Sequence, residues 1–468
     1  MEAVSLGQIQ QWTGARTVGI LGPDQPVTGV STDTRTLAPG EVFVALRGER
    51  CDGHRFVQQA LSQGAAAAVV EEEWAEPAGS AAGAPLLVVD SSLAALGAIA
   101  RGYRRRFALP VVGVVGSAGK TTTKEMIAAV LGRRYRVLKN QGNENNEVGV
   151  PRTLLQLDGT HQVVVLEMAA RKWGDIAYLC SIAQPTIGVL LNFGTAHLGF
   201  FGSVEGVAKA KGELLDYLDE SCTALTNVDD CVVAREAKRT KGRLLGFSLR
   251  CGSQYRGEGL VLDQEGCGHF SLQNHRIDLQ VPGRHNVYNA LAAAAVGDLQ
   301  GVPWSGIQEA LHAFQAVAMR SQVTSHGGVR LIDDSYNANP DSVEAALDLL
   351  GVVGGQRRLA VLGDMLELGA GAAEMHARVG RRAAALQVDL LLATGPLSQH
   401  TVSAARQAGL PAGRARHFAD REALGDALMA ELQDGDVVLV KASRGMSLDQ
   451  VARRIAGLPA SLGPVPSH

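Results

Sequence analysis

Gly116-Ser117-Ala118-Gly119-Lys120-Thr121 stands where an apolar, β-branched run over 111–115 gives way to a helical pattern reaching about Gly132. Glycines let successive backbone N–H groups point into one concavity. A lysine adds a point charge, a threonine hydroxyl can ligate Mg²⁺, and the helix N-terminus contributes a favourable dipole. That chemistry is triphosphate binding. The general phosphate loop has a further glycine five positions before the Gly-Lys pair. Val114 occupies that place, with glycines at 113 and 116 instead.

A metal beside such a loop needs a second hard ligand at the end of a neighbouring strand. Glu167 ends the apolar run 163–166 and meets that need. His197 follows the next strand-like run; from spacing alone it is either a further ligand or an ordinary loop histidine. Lys211 is unusual in another way. In a helical pattern over 204–218, Val207, Leu214, Leu215 and Leu218 mark the apolar face, and Lys211 falls on it, whereas Lys209 does not. A desolvated ammonium loses its proton more readily and becomes a nucleophilic amine. A stem lying along the stripe with its head in water is the alternative.

Three blocks have to position these residues. In the first, running to about 108, strands are expected at 41–46, 65–70 and 86–90, helices at 53–64 and 92–107, and a loop at 71–85. The second, 109–318, alternates apolar runs with helical patterns, the rhythm of a parallel sheet, and carries a β-rich excursion at 243–281. The third, from Met319, has buried strands at 329–332, 359–362, 390–393 and 437–440, each followed by a helical stretch. The fold class is therefore α/β in three domains: a small N-terminal α/β domain, a central phosphate-loop domain on a parallel sheet, and a C-terminal Rossmann-like domain. The last residues, 462–468, read as a frayed tail.

Composition narrows the function. The chain has 468 residues, with 44 Lys and Arg against 47 Asp and Glu, so no basic excess favours nucleic acid. Neither a signal peptide nor an apolar run of membrane-spanning length is visible. The six cysteines form no CxxC and the histidines no HxxxH, which fits reduced thiols in the cytoplasm better than a zinc site.

Taken in order, TDTRTLAPGEVFVALRGERCDGH, GSAGKTTTKEM, QGNENNEVGVP, LEMAA, GTAHLGFFGSVEGVAKAKGEL, PGRHNVYNALAA, DDSYNANPDS, GDMLELG and KASRG resemble the Mur ligase family, and they span nearly the whole chain. The family's own phosphate loop is GxxGK[ST], which accommodates Val114. The resemblance implies an ATP-dependent amide ligase of bacterial cell-wall precursors. Its implied substrates are UDP-N-acetylmuramoyl-tripeptide and D-alanyl-D-alanine, joined through an acyl phosphate, with two Mg²⁺ ions. It further implies a cytoplasmic monomer that binds no nucleic acid and inserts in no membrane. Ser31, Thr32, Asp33 and Arg35 are expected near the uracil and diphosphate, and Asn143, Asn145 and Asn146 facing the muramoyl-peptide. ATP is assigned to Gly116, Ser117, Ala118, Gly119, Lys120, Thr121 and Thr122, with Asn286 and Asn289 at the adenine and Arg320 and Asp334 brought in by closure. Catalysis falls to Lys120, Lys211, His197 and Glu167. The metal set is Thr121, Glu167, His197 and a carbamate on Lys211. Asn337, Asn339, Ser443 and Arg444 line the ligase cleft.

Some positions depart from the family's usual pattern. Ala169-Ala170 stand where Gly is common after the acid, Leu198-Gly199-Phe200-Phe201 where an acid is usual, and MRSQ replaces PGR at 319–322. Two alternatives remain at this stage: the ligase adding the third residue, whose Asp-Asn-Pro-Arg motif is absent, and a nucleotide switch, whose NKxD motif is absent.

Overall fold

The computed structural model describes residues 1–19, 22–48, 51–75, 84–194 and 198–458. The chain divides into two compact units. One is Met1–Gly113 with Tyr135–Ala170 and Gly174–Gly188; the other is Val114–Arg134 with Arg171–Trp173 and Val189–His468.

The first unit holds a five-stranded sheet in the order Arg16–Val18, Leu86–Val89, Ala67–Glu71, Glu41–Val44, Gly29–Ser31, parallel except at its first pair. Alternation sends Phe43, Ala68, Val70, Leu86 and Val88 to one face, where Val57 and Ala60 of the helix Val57–Ser62 cover them. The helix Ser92–Arg104 begins at Ser91, whose hydroxyl accepts from the Ala94 amide. Its last two residues, Tyr103 and Arg104, are buried. Tyr103 donates its hydroxyl to the Leu157 carbonyl at 2.5 Å, and Arg104 donates to the carbonyls of Ala183, Phe107 and Leu109.

In the first unit Val163–Glu167 pairs parallel with Val137–Lys139, and in the second the strands follow the order His275–Pro282, Cys267–Leu272, Tyr255–Leu262, Arg243–Ser248, Thr223–Asn227. Val111–Val115, Val163–Glu167 and Ile187–Leu190 are buried at every position, which is why they read as unbroken apolar runs. The β-rich excursion is present. Arg243–Ser248 joins parallel to Thr223–Asn227, and the two strand pairs beyond Tyr255 are antiparallel.

In the C-terminal block six strands follow the order Gln322–His326, Val329–Asp333, Asp436–Lys441, Arg357–Gly363, Leu390–Thr394, Ala415–Phe418. Only the first pair is antiparallel, closed by Gly327 and Gly328 with φ of +53° and +81°, values that a two-residue hairpin needs. Ala360 and Leu362 pack under the helices Pro340–Val352, Ala372–Ala385 and Ser398–Gln407. Leu359 and Val361 pack against Arg421–Glu431 and Asp449–Ile455. Helices therefore cover both faces, as in a doubly wound sheet.

Three expectations need correction. Residues 204–218 are not one helix: Val204–Lys211 ends and Glu213–Tyr217 begins at Gly212, where a Cβ would meet Arg239 and the Ala208 carbonyl. The loop expected over 71–85 starts as strand and continues as the short helix Glu72–Ala75; its residues 76–83 lie outside the described part, as does the tail. The helix expected over 53–64 starts as a 3₁₀ turn, Gly53–Phe56, because Asp52 caps the His54 amide.

Candidate functional site

The phosphate loop is built from backbone and one asparagine. Gly119 has φ +80°, and a Cβ on it would lie 2.7 Å from Asn289 Oδ1, so only glycine fits. Asn192 Oδ1 accepts from the amides of Ser117 (3.0 Å) and Ala118 (2.9 Å), and its Nδ2 donates to the Ala118 carbonyl. Lys120 Nζ donates to the Gly116 carbonyl at 2.9 Å, folding back over the loop. Thr121 and Thr122 are buried in the first turn of the helix Lys120–Leu131. Asn192 was not foreseen. An asparagine just after a strand has no periodic signal, and its role depends on a loop 75 residues earlier in the chain.

Asn286 and Asn289 lie on the helix Arg284–Leu299 and are buried. Thr123 donates to Asn289 Oδ1 (3.0 Å), Asn289 donates to Asn286 (2.9 Å), and Asn286 donates to the Pro282 carbonyl (2.7 Å). This chain of hydrogen bonds ties the phosphate-loop helix to the end of the strand His275–Pro282.

Lys211 is 1% exposed, so it does not reach water along the helix surface. Burial, with the positive charge of Lys120 adding to it, pushes its ammonium down to about 7. Its Nζ lies 5.9 Å from the centre of the Phe201 ring, and that ring meets Trp173 edge-on at 5.8 Å. The two site lysines thus belong to one electrostatic neighbourhood. His197, expected among the ligands, lies outside the described residues.

Glu167 ends its strand almost fully buried, and its Oε1 accepts from Asn145 Nδ2 at 2.7 Å. Asn140, also missed by sequence reasoning, holds the Glu167 backbone from both sides: its Oδ1 accepts from the Glu167 amide and its Nδ2 donates to the Glu167 carbonyl. Asn143 is exposed, with its carbonyl accepting from the Asn145 amide. Asn146 Oδ1 accepts from the amides of Val148 and Gly149 and opens the helix Gly149–Leu154. In the same unit Ser31, Thr32, Asp33 and Arg35 form a tight turn. The Ser31 hydroxyl accepts from the Asp33 amide, and Arg35 grips Asp33 bidentately, holding that carboxyl down at about 2.

The C-terminal candidates gather at the ends of two adjacent strands. Asp334 accepts from Lys441 Nζ (2.5 Å) and from the Ser321 amide (2.8 Å), and Lys441 also donates to the Asn337 carbonyl. Arg320 lies 4.1 Å over the Tyr336 ring, between Met319 and Ser321, which hold φ of +59° and +50°. Asn339 caps the helix Pro340–Val352. Ser443 accepts from the Leu366 amide and donates to the Ala338 carbonyl, while Arg444 pairs with Asp449 at 3.4 Å. Asn337 side chain and backbone serve the same loop.

Among the described residues no group of three or more His, Cys, Asp and Glu converges as a metal cage. The expected metal donors are instead a threonine hydroxyl, a carboxylate, the oxygens a carbamylated amine would provide, and His197, which lies outside the described residues; the oxygen donors among them suit Mg²⁺.

Comparison with known proteins places this geometry. The Mur ligase family catalytic domain matches residues 26–104, the Mur ligase middle domain 114–297, and the glutamate ligase domain 319–444. A UDP-N-acetylmuramoyl-tripeptide–D-alanyl-D-alanine ligase of Synechocystis is 40% identical over 93% of this chain and 93% of its own. The enzyme of that name from Escherichia coli is 37% identical over 93% and 95%. A crystal structure of MurF from Acinetobacter baumannii superposes with a TM-score of 0.90 at 31% identity, covering 98% of this chain and 99% of that one. MurF ligase from Thermotoga maritima in complex with ADP gives 0.80 at 30% identity, covering 92% and 97%. The chain belongs to the Mur ligase family.

Proposed function

We propose that this chain joins D-alanyl-D-alanine to UDP-N-acetylmuramoyl-tripeptide at the expense of ATP, releasing ADP and phosphate. What supports the reading is a phosphate loop whose lysine shares its electrostatic neighbourhood with the buried Lys211, in a chain that matches ligases of that name along almost its whole length. Three working domains, 1–108, 109–318 and 319–468, are proposed for it, as a cytoplasmic monomer.

In the first step the tripeptide's terminal carboxylate oxygen attacks the γ-phosphorus of ATP; the bond to the β-γ bridging oxygen breaks and ADP leaves. In the second, the free amine of D-alanyl-D-alanine attacks the acyl carbon, the bond to phosphate oxygen breaks, and the amine gives up a proton. The carboxylate, the triphosphate and the leaving phosphate are all anionic, so neutralisation is the main demand on the protein. Lys120 meets it at the β/γ-phosphates, with the backbone amides of 116–122. Thr121, Glu167, His197 and Lys211 as its carbamate would hold Mg²⁺, which supplies further charge neutralisation when bound. The roles proposed for the remaining residues follow the family: Asn286 and Asn289 toward adenine, and Arg320 and Asp334 toward the rest of the nucleotide. Ser31, Thr32, Asp33 and Arg35 take the uridine diphosphate. Asn143, Asn145 and Asn146 take the muramoyl-peptide, and Asn337, Asn339, Ser443 and Arg444 the cleft. Water must be kept from the acyl phosphate, which gives closure a chemical purpose.

The test is product formation followed by mass with ATP, the UDP-muramoyl-tripeptide and each acceptor in turn. The pentapeptide nucleotide is expected with D-alanyl-D-alanine. Addition of a single diamino acid to the dipeptide nucleotide would point to the other ligase.

A further inference from the structure

The connection between the strand Ile187–Leu190 and the helix Val204–Lys211, a loop that includes the short helix Leu198–Phe201, meets the C-terminal block at two glycines. Gly194 faces Asp341, the second residue of the helix Pro340–Val352, and a Cβ on Gly194 would overlap the Asp341 carboxylate. That carboxylate does not swing aside freely, because Arg378 holds it at 3.1 Å while also pairing with Glu344. Gly199 donates its amide to the Glu367 carbonyl at 3.0 Å, and a Cβ there would lie 3.0 Å from the same oxygen and 3.2 Å from the Gly369 nitrogen. Neither glycine has a positive φ, so the backbone conformation does not require glycine at either place; at Gly194 the closeness of the held Asp341 carboxylate disfavours a side chain, and at Gly199 a Cβ would force the Glu367–Gly369 backbone to give by a few tenths of an ångström. On its other side the Gly194 carbonyl accepts from the Ser117 hydroxyl of the phosphate loop at 3.4 Å.

We propose that Gly194 and Gly199 are positioning residues: two seats through which the C-terminal block fixes this loop against the phosphate loop. Seating of that block and geometry at the γ-phosphate are thereby set together. The functional half of this rests on the ligase reading; the structural half does not.

The experiment compares wild type, Gly194→Ala, Asp341→Ala and the double variant by ligase kinetics, ADP calorimetry and amide hydrogen exchange. Gly194→Ala should lower kcat about tenfold, the scale of a small misplacement at a reacting centre, with ADP affinity within about twofold of wild type. It should also speed exchange of the amides at 364–369. Asp341→Ala added to it should bring both readouts back to those of Asp341→Ala alone, since the obstructing carboxylate is gone. A clash with Ser117 would persist in the double variant, so failure of this relief overturns the proposal, as does wild-type kcat and exchange in Gly194→Ala. Gly199→Ala provides the second arm: it should slow turnover without relief from Asp341→Ala, and unchanged turnover and exchange would contradict the second seat. Loss of the ligase reading would appear separately, as wild-type protein inactive toward the ligase substrates with the exchange pattern intact.

Discussion

Lys211 shows how a single side chain can be read from spacing and then weighed by burial. Its place on an apolar stripe was visible in the sequence, and its 1% exposure removes the alternative of a solvated head. The proposed carbamate would be an anion where an ammonium is a cation, so on that reading replacing Lys211 changes charge at the site and not only shape. Lys211→Ala should lose at least about a hundredfold in kcat while still binding ADP, the size seen when a charge-stabilising group is removed. Added acetate or propionate should restore part of that rate by supplying the missing carboxylate. Activity close to wild type in this variant would remove the carbamate from the mechanism. Lys441 makes a second point at the same scale. It is buried and paired with the partly buried Asp334, so Lys441→Met leaves that carboxylate without its cation and should cost about 1–3 kcal/mol. Lys441→Met with Asp334→Asn should cost clearly less; chemical denaturation of the four proteins measures the difference. The sequence offered Asp334 as a candidate and Lys441 only as the first residue of KASRG, with no role attached, because a lysine closing an apolar strand looks like a strand end meeting water.

At the scale of elements, the strands were more legible than what joins them. Val111–Val115, Val163–Glu167 and Asp436–Lys441 are buried throughout and stand out as apolar runs. The edge strands Gln322–His326 and Ala415–Phe418 are half-solvated and mixed in character, so nothing in their composition announced them. The break at Gly212 was missed for a related reason. The apolar stripe continues across it, and what a side chain would meet there, the Ala208 carbonyl and Arg239, 27 positions on, shows only in the folded chain. The β-rich excursion carries its own test. His269 on Cys267–Leu272 faces Asp278 at 2.7 Å and Asp263 at 3.1 Å, with Arg276 on the same Asp278. The two carboxylates raise the imidazole above its ordinary value. A raised histidine stabilises fully below its unfolded pKa of about 6.5, and that contribution disappears as pH rises through the higher folded value. The melting temperatures of wild type and His269→Gln should therefore be furthest apart below about pH 6.5 and draw together as pH rises through the raised folded value. A gap that widens with pH would contradict this. The helix Ser92–Arg104 is another test of an element's end: Arg104→Met leaves three carbonyls without their donor and should lower stability by about 2–4 kcal/mol, measured by denaturant midpoint.

For the whole molecule, three α/β blocks were foreseeable because each strand-helix alternation repeats a local rule that needs no long-range information. The site was foreseeable only in part. Lys120, Thr121, Glu167 and Lys211 carry their chemistry in their own side chains and stand at strand or helix ends, where such chemistry is expected. Asn140 and Asn192 act by holding other residues, and a holder is recognised only once the fold has brought its partner near. The reaction needs both kinds, since three substrates react together only in a fixed arrangement.

The central claim is that ATP cleavage is coupled to amide formation with one acceptor. Phosphate release from ATP should therefore be measured with UDP-N-acetylmuramoyl-tripeptide present, with and without D-alanyl-D-alanine. Release that depends on D-alanyl-D-alanine, one phosphate for each pentapeptide nucleotide formed, is the predicted result. Release of the same rate without it, or with free diaminopimelate or lysine in its place, would contradict the account.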